Sequence, residues 1–235
     1  MSRAEKSYSI VFMATSSEAA ASSIEAMALK QLEAFQVCTQ QPVDEQREIV
    51  ESELTSAMHI PHFISDAEVL QVMDAALLLK ATVAPGYNVH FSSSHVALNL
   101  HGGGHFAAQQ PALQAKILAG MRSEAGWCDP AMPLSVRCIE LHSYSVGDGL
   151  MTEGHKDHGS VLTMSIQLCH TTEMGGGQLM TWHAGVPVFH AMERGDALLF
   201  PSLKTHNVSP ITMGSRRSLV IELWRGGTNV KNRYT

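Results

Sequence analysis

No stretch of this 235-residue chain stays apolar for the roughly 18 residues that a membrane-crossing helix requires, so no spanning segment is expected. Aromatic residues make up only 6% of the chain, and nowhere do they interleave with clustered Lys and Arg. The formal charge is −6, and a nucleic-acid surface, which needs a basic patch with stacking side chains, is not expected. The four cysteines, Cys38, Cys128, Cys138 and Cys169, stand apart with no C-x-x-C pair; this excludes a disulfide framework and fits a reducing compartment. Residues 8–14 are apolar behind Lys6, but that run is shorter than the centre of a secretory signal. Glu18 and Glu25 are out of place in a transit peptide. The expectation is a cytoplasmic protein with neither repeats nor low-complexity segments.

What the chain does contain is a core. Hydrophobic residues reach 45% and charged residues 16%, the balance of a folded globular protein. The acidity is local: residues 1–54 carry 4 basic and 9 acidic side chains, whereas 151–235 carry 8 and 6. Residues 16–36 and 44–57 are rich in helix formers and are separated by Gln40-Gln41-Pro42. Ser65-Asp66-Ala67-Glu68 is a capping box ahead of a helix to about Leu79, and another helix follows Pro111 to about Ala125. After Trp127 short β-rich segments recur at 134–145, 161–169, 178–183, 186–190, 196–201, 206–211 and 216–224. That spacing predicts a sandwich or barrel rather than βαβ units. The expected fold is α+β, mainly β, with a helical N-terminal half packed on a C-terminal β-structure. Residues 1–54 form an acidic helical extension, and 55–235 form one domain whose β core spans about 134–226.

Three groups of residues could carry chemistry. In His155-Lys156-Asp157, side chains two apart share a face of a strand and could bind one cation together. His206, after the strand-like Gly195–Pro201, is the candidate third ligand, and two His with one carboxylate form the facial set of non-haem Fe(II) oxygenases. Ten residues on, Arg216 and Ser218 share strand parity and could hold a carboxylate through a planar fork and an extra donor. Thr163, Ser165 and Gln167 alternate with Leu162, Met164, Ile166 and Leu168. That polar face points either to solvent or, if the apolar face meets the helices, into the barrel, where Thr163 and Gln167 become pocket residues.

Taken in order, several motifs resemble those of the 2-oxoglutarate/Fe(II)-dependent dioxygenases, specifically the prolyl 4-hydroxylase-like branch. They are Tyr144-Ser145-Val146-Gly147, His155-Lys156-Asp157, Thr163, Gly175-Gly176-Gly177, Gly195–Pro201, His206 and Thr212-x-Gly214-x-Arg216-x-Ser218. The likeness is strong over 134–226 and only textural over 57–130. It implies a double-stranded β-helix, or jelly-roll, with helices packed on one sheet. It also implies Fe(II), 2-oxoglutarate and O2 as reactants, ascorbate in support, and hydroxylation with release of succinate and CO2. By the same resemblance His155, Asp157 and His206 bind iron, and Arg216 binds the distal carboxylate of 2-oxoglutarate. Tyr144, Thr163, Leu179 and Ser218 line the cosubstrate pocket. The chain departs from the pattern in three places. The interval from Tyr144 to His155 is longer than usual, Gln167 stands where relatives often place Tyr, and Arg216 replaces the Lys of several prolyl hydroxylases. The substrate expected is a peptide, through proline, or a small molecule; the oligomeric state is left open.

The rival reading is a cupin-type metal-binding barrel, an isomerase or a non-catalytic binding protein. Gly195, Pro201 and His206 match most of the second cupin motif, but Leu203 replaces its Gly, and H-x-D replaces H-x-H. Arg216 has no place in that scheme. His101-Gly102-Gly103-Gly104-His105 reads as a flexible surface turn before a metal or phosphate loop. Trp182 and His183 border either a substrate mouth or a packed rim, and His158 falls on the face opposite the metal ligands.

Overall fold

The computed structural model describes residues 43–82, 89–91 and 94–231. By contacts the chain divides between Gln46 and Arg47 into two units. Of the first, only the opening turn of helix α1 (Val43–Leu54) is described; the helix expected at 16–36 lies outside the described residues.

Helix α2 (Asp66–Thr82) starts where the capping box places it. The Ser65 N–H donates to Glu68 Oε2 at 2.7 Å, and the Glu68 N–H returns a bond to Ser65 Oγ at 3.3 Å. Helix α4 (Pro111–Glu124) opens on a proline, whose fixed φ and missing N–H suit the first helical position. Between them the short helix α3 (His105–Gln109) follows a single 3-10 turn over Gly102–Gly104. The expectation of a flexible turn there fails. His101 is buried with Nδ1 against the backbone of Ile139, and His105 Nε2 bonds Ala75 O at 2.8 Å, so both histidines staple the chain.

Among the described residues there are twelve strands. β1 (Met58–Ile60), β9 (Ala197–Pro201), β5 (Leu162–Gln167), β12 (Arg216–Trp224), β4 (Ser135–Tyr144), β3 (Val96–Asn99) and β2 (Val89–Phe91) lie in that spatial order in one antiparallel sheet. A second sheet has the order β10 (His206–Val208), β7 (Leu179–His183), β8 (Val186–His190), and β11 (Ile211–Gly214) pairs β6 (Met174–Gly176). Among the described residues the fold is mainly antiparallel β with four helices, consistent with a jelly-roll. Two expectations are corrected. The first hundred residues are not purely helical, since they supply three of the large sheet's seven strands. The segment 206–211 breaks at Ser209-Pro210 into two strands in different sheets, because proline lacks the ladder donor.

Alternation along the strands separates two cores. Ile139, Leu141, Met164, Ile166, Leu199, Leu219 and Ile221 meet Val69, Val72, Ala76, Leu79, Leu113, Ile117 and Met121 from α2 and α4. Each of these side chains other than Ala76 contributes about 1.5–3 kcal/mol by leaving water. The opposite face turns Tyr144, Leu198 and Phe200 toward Leu179, Val208 and Ile211 from the smaller sheets. The large sheet is therefore covered by helices on one side and faces an enclosed space on the other. β9 is entered through Gly195-Asp196: a Cβ on Gly195, at φ 89°, would sit 2.3 Å from Ile64 O. The Asp196 carboxylate accepts from the N–H groups of His62 and Glu193 and from His59 Nε2. Burial alone would raise its pKa, but these donors outweigh burial and hold it below the usual carboxylate value. Among the described residues no helix is long and apolar enough to cross a membrane.

Candidate active site

His155 and Asp157 do not lie on a strand, as the spacing predicts; residues 151–160 form turns and loop. Their common orientation comes from tertiary bonds instead. The Asp157 N–H donates to Ser202 O at 2.9 Å, and the His206 N–H donates to His155 O at 3.1 Å. This brings a loop and the start of β10 together, and one ligand atom from each of His155, Asp157 and His206 lies within 4.8 Å of the others. His155 Nε2 is 3.7 Å from Asp157 Oδ1, and His206 Nε2 is 3.4 Å from Asp157 Oδ2. Those separations exceed an N–H···O hydrogen bond but suit donors arranged about a common cation.

The surroundings fix each group. His206 Nδ1 lies 3.0 Å from Lys204 O, and because a carbonyl only accepts, Nδ1 carries the proton and Nε2 keeps its lone pair for a metal. Thr163 Oγ1 donates to Asp157 Oδ2 at 2.9 Å and contacts Ser202 Oγ at 2.8 Å. Asp157 and His206 are buried, and His155 is partly open to solvent.

Behind this triplet the large sheet presents a second feature. Arg216 is 1% exposed, donates from one terminal nitrogen to Ser218 Oγ at 2.8 Å and stacks on Tyr144. Its Nε has no hydrogen-bond partner, and none of the ion pairs among the described residues includes it. Burial pushes its pKa down, while Tyr144 and Cys169 act the other way. Burial raises the Tyr144 hydroxyl to about 12 although the Arg216 charge opposes it, so Tyr144 stays protonated. Gly177, at φ 65°, leaves room for this arginine; a Cβ there would come within 3.2 Å of Arg216 Cδ and 2.5 Å of Ile211 Cδ1. A buried guanidinium without a counter-charge costs several kcal/mol, about what a bound carboxylate would recover.

Both features line one cavity, together with Tyr144, Thr163, Leu179 and Ser218. Gln167 is also buried on the inward face but does not line it; its amide donates to Cys169 Sγ at 3.0 Å. Trp182 is half-buried and His183 exposed at the end of β7, and His158 is exposed. Sequence reasoning passed over His95, His142 and Leu150, which line the cavity as well. His142 shares strand parity with Tyr144, which was signal enough to find it. His95 stacks on Tyr144 at 4.7 Å from a segment with no pattern of its own.

No protein-family model and no curated protein matches the chain. Solved structures do resemble it. An oxidoreductase of the 2OG-Fe(II) oxygenase family from Burkholderia pseudomallei shares 13% identity at a TM-score of 0.57, covering 83% of this chain and 96% of that one. A viral collagen prolyl hydroxylase from Paramecium bursaria Chlorella virus-1, in complex with 2OG, shares 15% identity at a TM-score of 0.52, covering 73% and 97%. A prolyl hydroxylase from Trichoplax adhaerens, in complex with a peptide fragment of the hypoxia inducible factor oxygen degradation domain, shares 16% at 0.55, covering 80% and 94%. What is shared at these identities is the architecture: the chain has the fold of the 2-oxoglutarate/Fe(II) oxygenases, in the form taken by prolyl hydroxylases.

Proposed function

We propose that the chain is an Fe(II)- and 2-oxoglutarate-dependent dioxygenase that hydroxylates a peptide, through proline, or a small molecule. The observation that carries this is Arg216, a buried cation lacking a carboxylate partner among the described residues, in one cavity with the His155, Asp157 and His206 triplet. In this reading the two larger sheets are the halves of a double-stranded β-helix.

His155, Asp157 and His206 would hold the metal on one face and leave three positions for ligands. Bound there, Fe(II) supplies O2 activation coupled to oxidative decarboxylation of 2-oxoglutarate to succinate and CO2, with ascorbate as supporting reductant. The chain's own residues do the rest. Arg216 binds the distal carboxylate through its planar fork, with the Ser218 hydroxyl as second donor. Tyr144, protonated at any physiological pH, lines the same space with its hydroxyl 3.5 Å from His142 Nδ1. Thr163 keeps Asp157 oriented, and Leu179, Phe200 and Val208 exclude water from the apolar walls. Gln167 backs the wall from the side of Cys169 rather than touching the cosubstrate. The peptide held by the Trichoplax neighbour supports a chain segment as substrate.

A cupin-type barrel would use the metal triplet and leave Arg216 without purpose. Anaerobic titration separates the two readings. Folded protein loaded with Fe(II) should develop a visible charge-transfer band when 2-oxoglutarate is added, and it should release succinate in air with a peptide or small-molecule panel. Metal binding with no band and no 2-oxoglutarate affinity would favour the cupin.

A further inference from the structure

Helix α1 ends against the two segments that carry the metal-ligand triplet, and one side chain makes the join. Glu53 Oε1 accepts from Lys156 Nζ at 3.0 Å, from the Thr205 N–H at 2.8 Å and from Thr205 Oγ1. Lys156 lies between His155 and Asp157, and Thr205 immediately precedes His206. A single carboxylate oxygen therefore bonds to the chain neighbours of all three ligand residues. Lys156 Nζ also reaches Thr205 Oγ1, which closes the triangle. The same helix end holds a second cation: Lys204 is fully buried, and its Nζ donates to Ser52 O at 3.3 Å and Glu53 O at 2.8 Å, carbonyls of the last turn.

We propose that Glu53 is a positioning residue for the metal centre. The inference rests on the reading of His155, Asp157 and His206 as metal ligands. Residues 151–160 belong to no strand or helix, so the backbone ties His155 and Asp157 to the chain around β10 through two isolated bonds, His206 N–H to His155 O and Asp157 N–H to Ser202 O, rather than through a ladder. Glu53 reinforces those two bonds from outside the cavity, so the ligands are ordered before a cation arrives rather than by it. It also has an electrostatic task. The ammonium groups of Lys156 and Lys204 flank the ligand segments, and the carboxylate offsets charge that would otherwise repel a divalent ion. Glu51, on the same helix, has its carboxylate paired with exposed Arg47 and provides the comparison.

The experiment is anaerobic titration of the metal-free full chain with Fe(II), and separately with Co(II), whose visible spectrum reports ligand geometry. Glu53→Ala should weaken both ions by about 10–100-fold, the range for loss of a partner behind the ligands, and should alter the Co(II) spectrum. Glu53→Gln keeps an acceptor for the Thr205 N–H but drops the charge, and should fall between Glu53→Ala and the unaltered protein. Glu51→Ala should match the unaltered protein. A merely structural role would lower the unfolding temperature of the metal-free protein while leaving dissociation constants and spectrum unchanged, and that result overturns the proposal. If Glu53→Ala does not fold, Glu53→Gln and Thr205→Val carry the test, and unaltered affinity in both overturns it. Failure of the unaltered protein to bind either ion would instead remove the metal centre itself, and this inference with it.

Discussion

The Arg216 guanidinium lies 5.4 Å from the centre of the Tyr144 ring, in register across the β12–β4 ladder, where the two residues are directly paired. The cation sits on an aromatic face and beside one hydroxyl, an arrangement that lowers the cost of burying it without neutralising it.

Arg216 should therefore differ sharply from its neighbour Arg217. Strand parity sends Arg216 inward with Ser218, whereas Arg217 is only half-buried on the side of Leu219. Arg216→Ala should cost roughly 2–5 kcal/mol of 2-oxoglutarate binding. This is about thirtyfold to several thousandfold in dissociation constant. Arg217→Ala should cost about 0.5 kcal/mol or less. Equilibrium titration of both Fe(II)-loaded variants, without O2, measures the difference; equal losses would mean the anion site lies elsewhere.

Asp157→Ala should abolish the charge-transfer band and metal retention together. Two neutral imidazoles hold a hard divalent ion poorly, and the substitution leaves the Thr163 hydroxyl, which donates to Asp157, with Ser202 alone. Metal analysis after gel filtration reads the outcome. Retention of stoichiometric iron by this variant would contradict the ligand assignment.

Gln167→Leu should leave 2-oxoglutarate affinity within about twofold, the equivalent of roughly 0.4 kcal/mol. The amide points at Cys169 and Met174 rather than into the cavity, so the loss should appear as stability, about 1 kcal/mol for the bonds removed. Denaturant unfolding and a binding titration on the same preparation separate the two. A large rise in the 2-oxoglutarate requirement would place the amide in the cavity after all.

Acidification should destabilise the fold through His190. Burial, with smaller contributions from His59 and Lys204, lowers its pKa from 6.5 to about 4, and Thr181 Oγ1 lies 2.8 Å from its Nε2. Between pH 6.5 and 4 the unfolded chain binds more protons at this site than the folded one. Stability is thus fully present above pH 6.5 and is lost as the pH falls toward 4. His190→Gln should flatten that part of the melting-temperature profile; an unchanged slope would assign acid sensitivity to other groups.

Much of this site could be read from residue order because parity survives folding. The alternation at Thr163, Ser165 and Gln167 does turn inward, and β12 and β8 begin and end where the pattern placed them. Among the strands of three or four residues, β10 falls inside the expected segment 206–211, whereas β1, β2, β3 and β6 were illegible. β1 exists because Met58, His59 and Ile60 pair with Leu199, Leu198 and Ala197, a property of the partner rather than of the segment. The same limit hid the loop character of His155-Lys156-Asp157, where the shared side owes nothing to strand geometry. Gln167 shows a third limit: parity gives the face, while the direction of an amide depends on which acceptor is nearer.

β12 has a bonded neighbour on each side, β4 and β5, and lies in the middle of the seven-stranded sheet. The amides of Arg216 and Ser218 belong to a ladder that opens only when the whole domain does, whereas the loop bearing His155 and Asp157 can open by itself. The cavity thus has a stiff end and a compliant end. Hydrogen exchange should protect the first to the full unfolding free energy and the second to a fraction of it. A chelator could then strip the ion through local opening, leaving the arginine end of the cavity folded and ready to be reloaded.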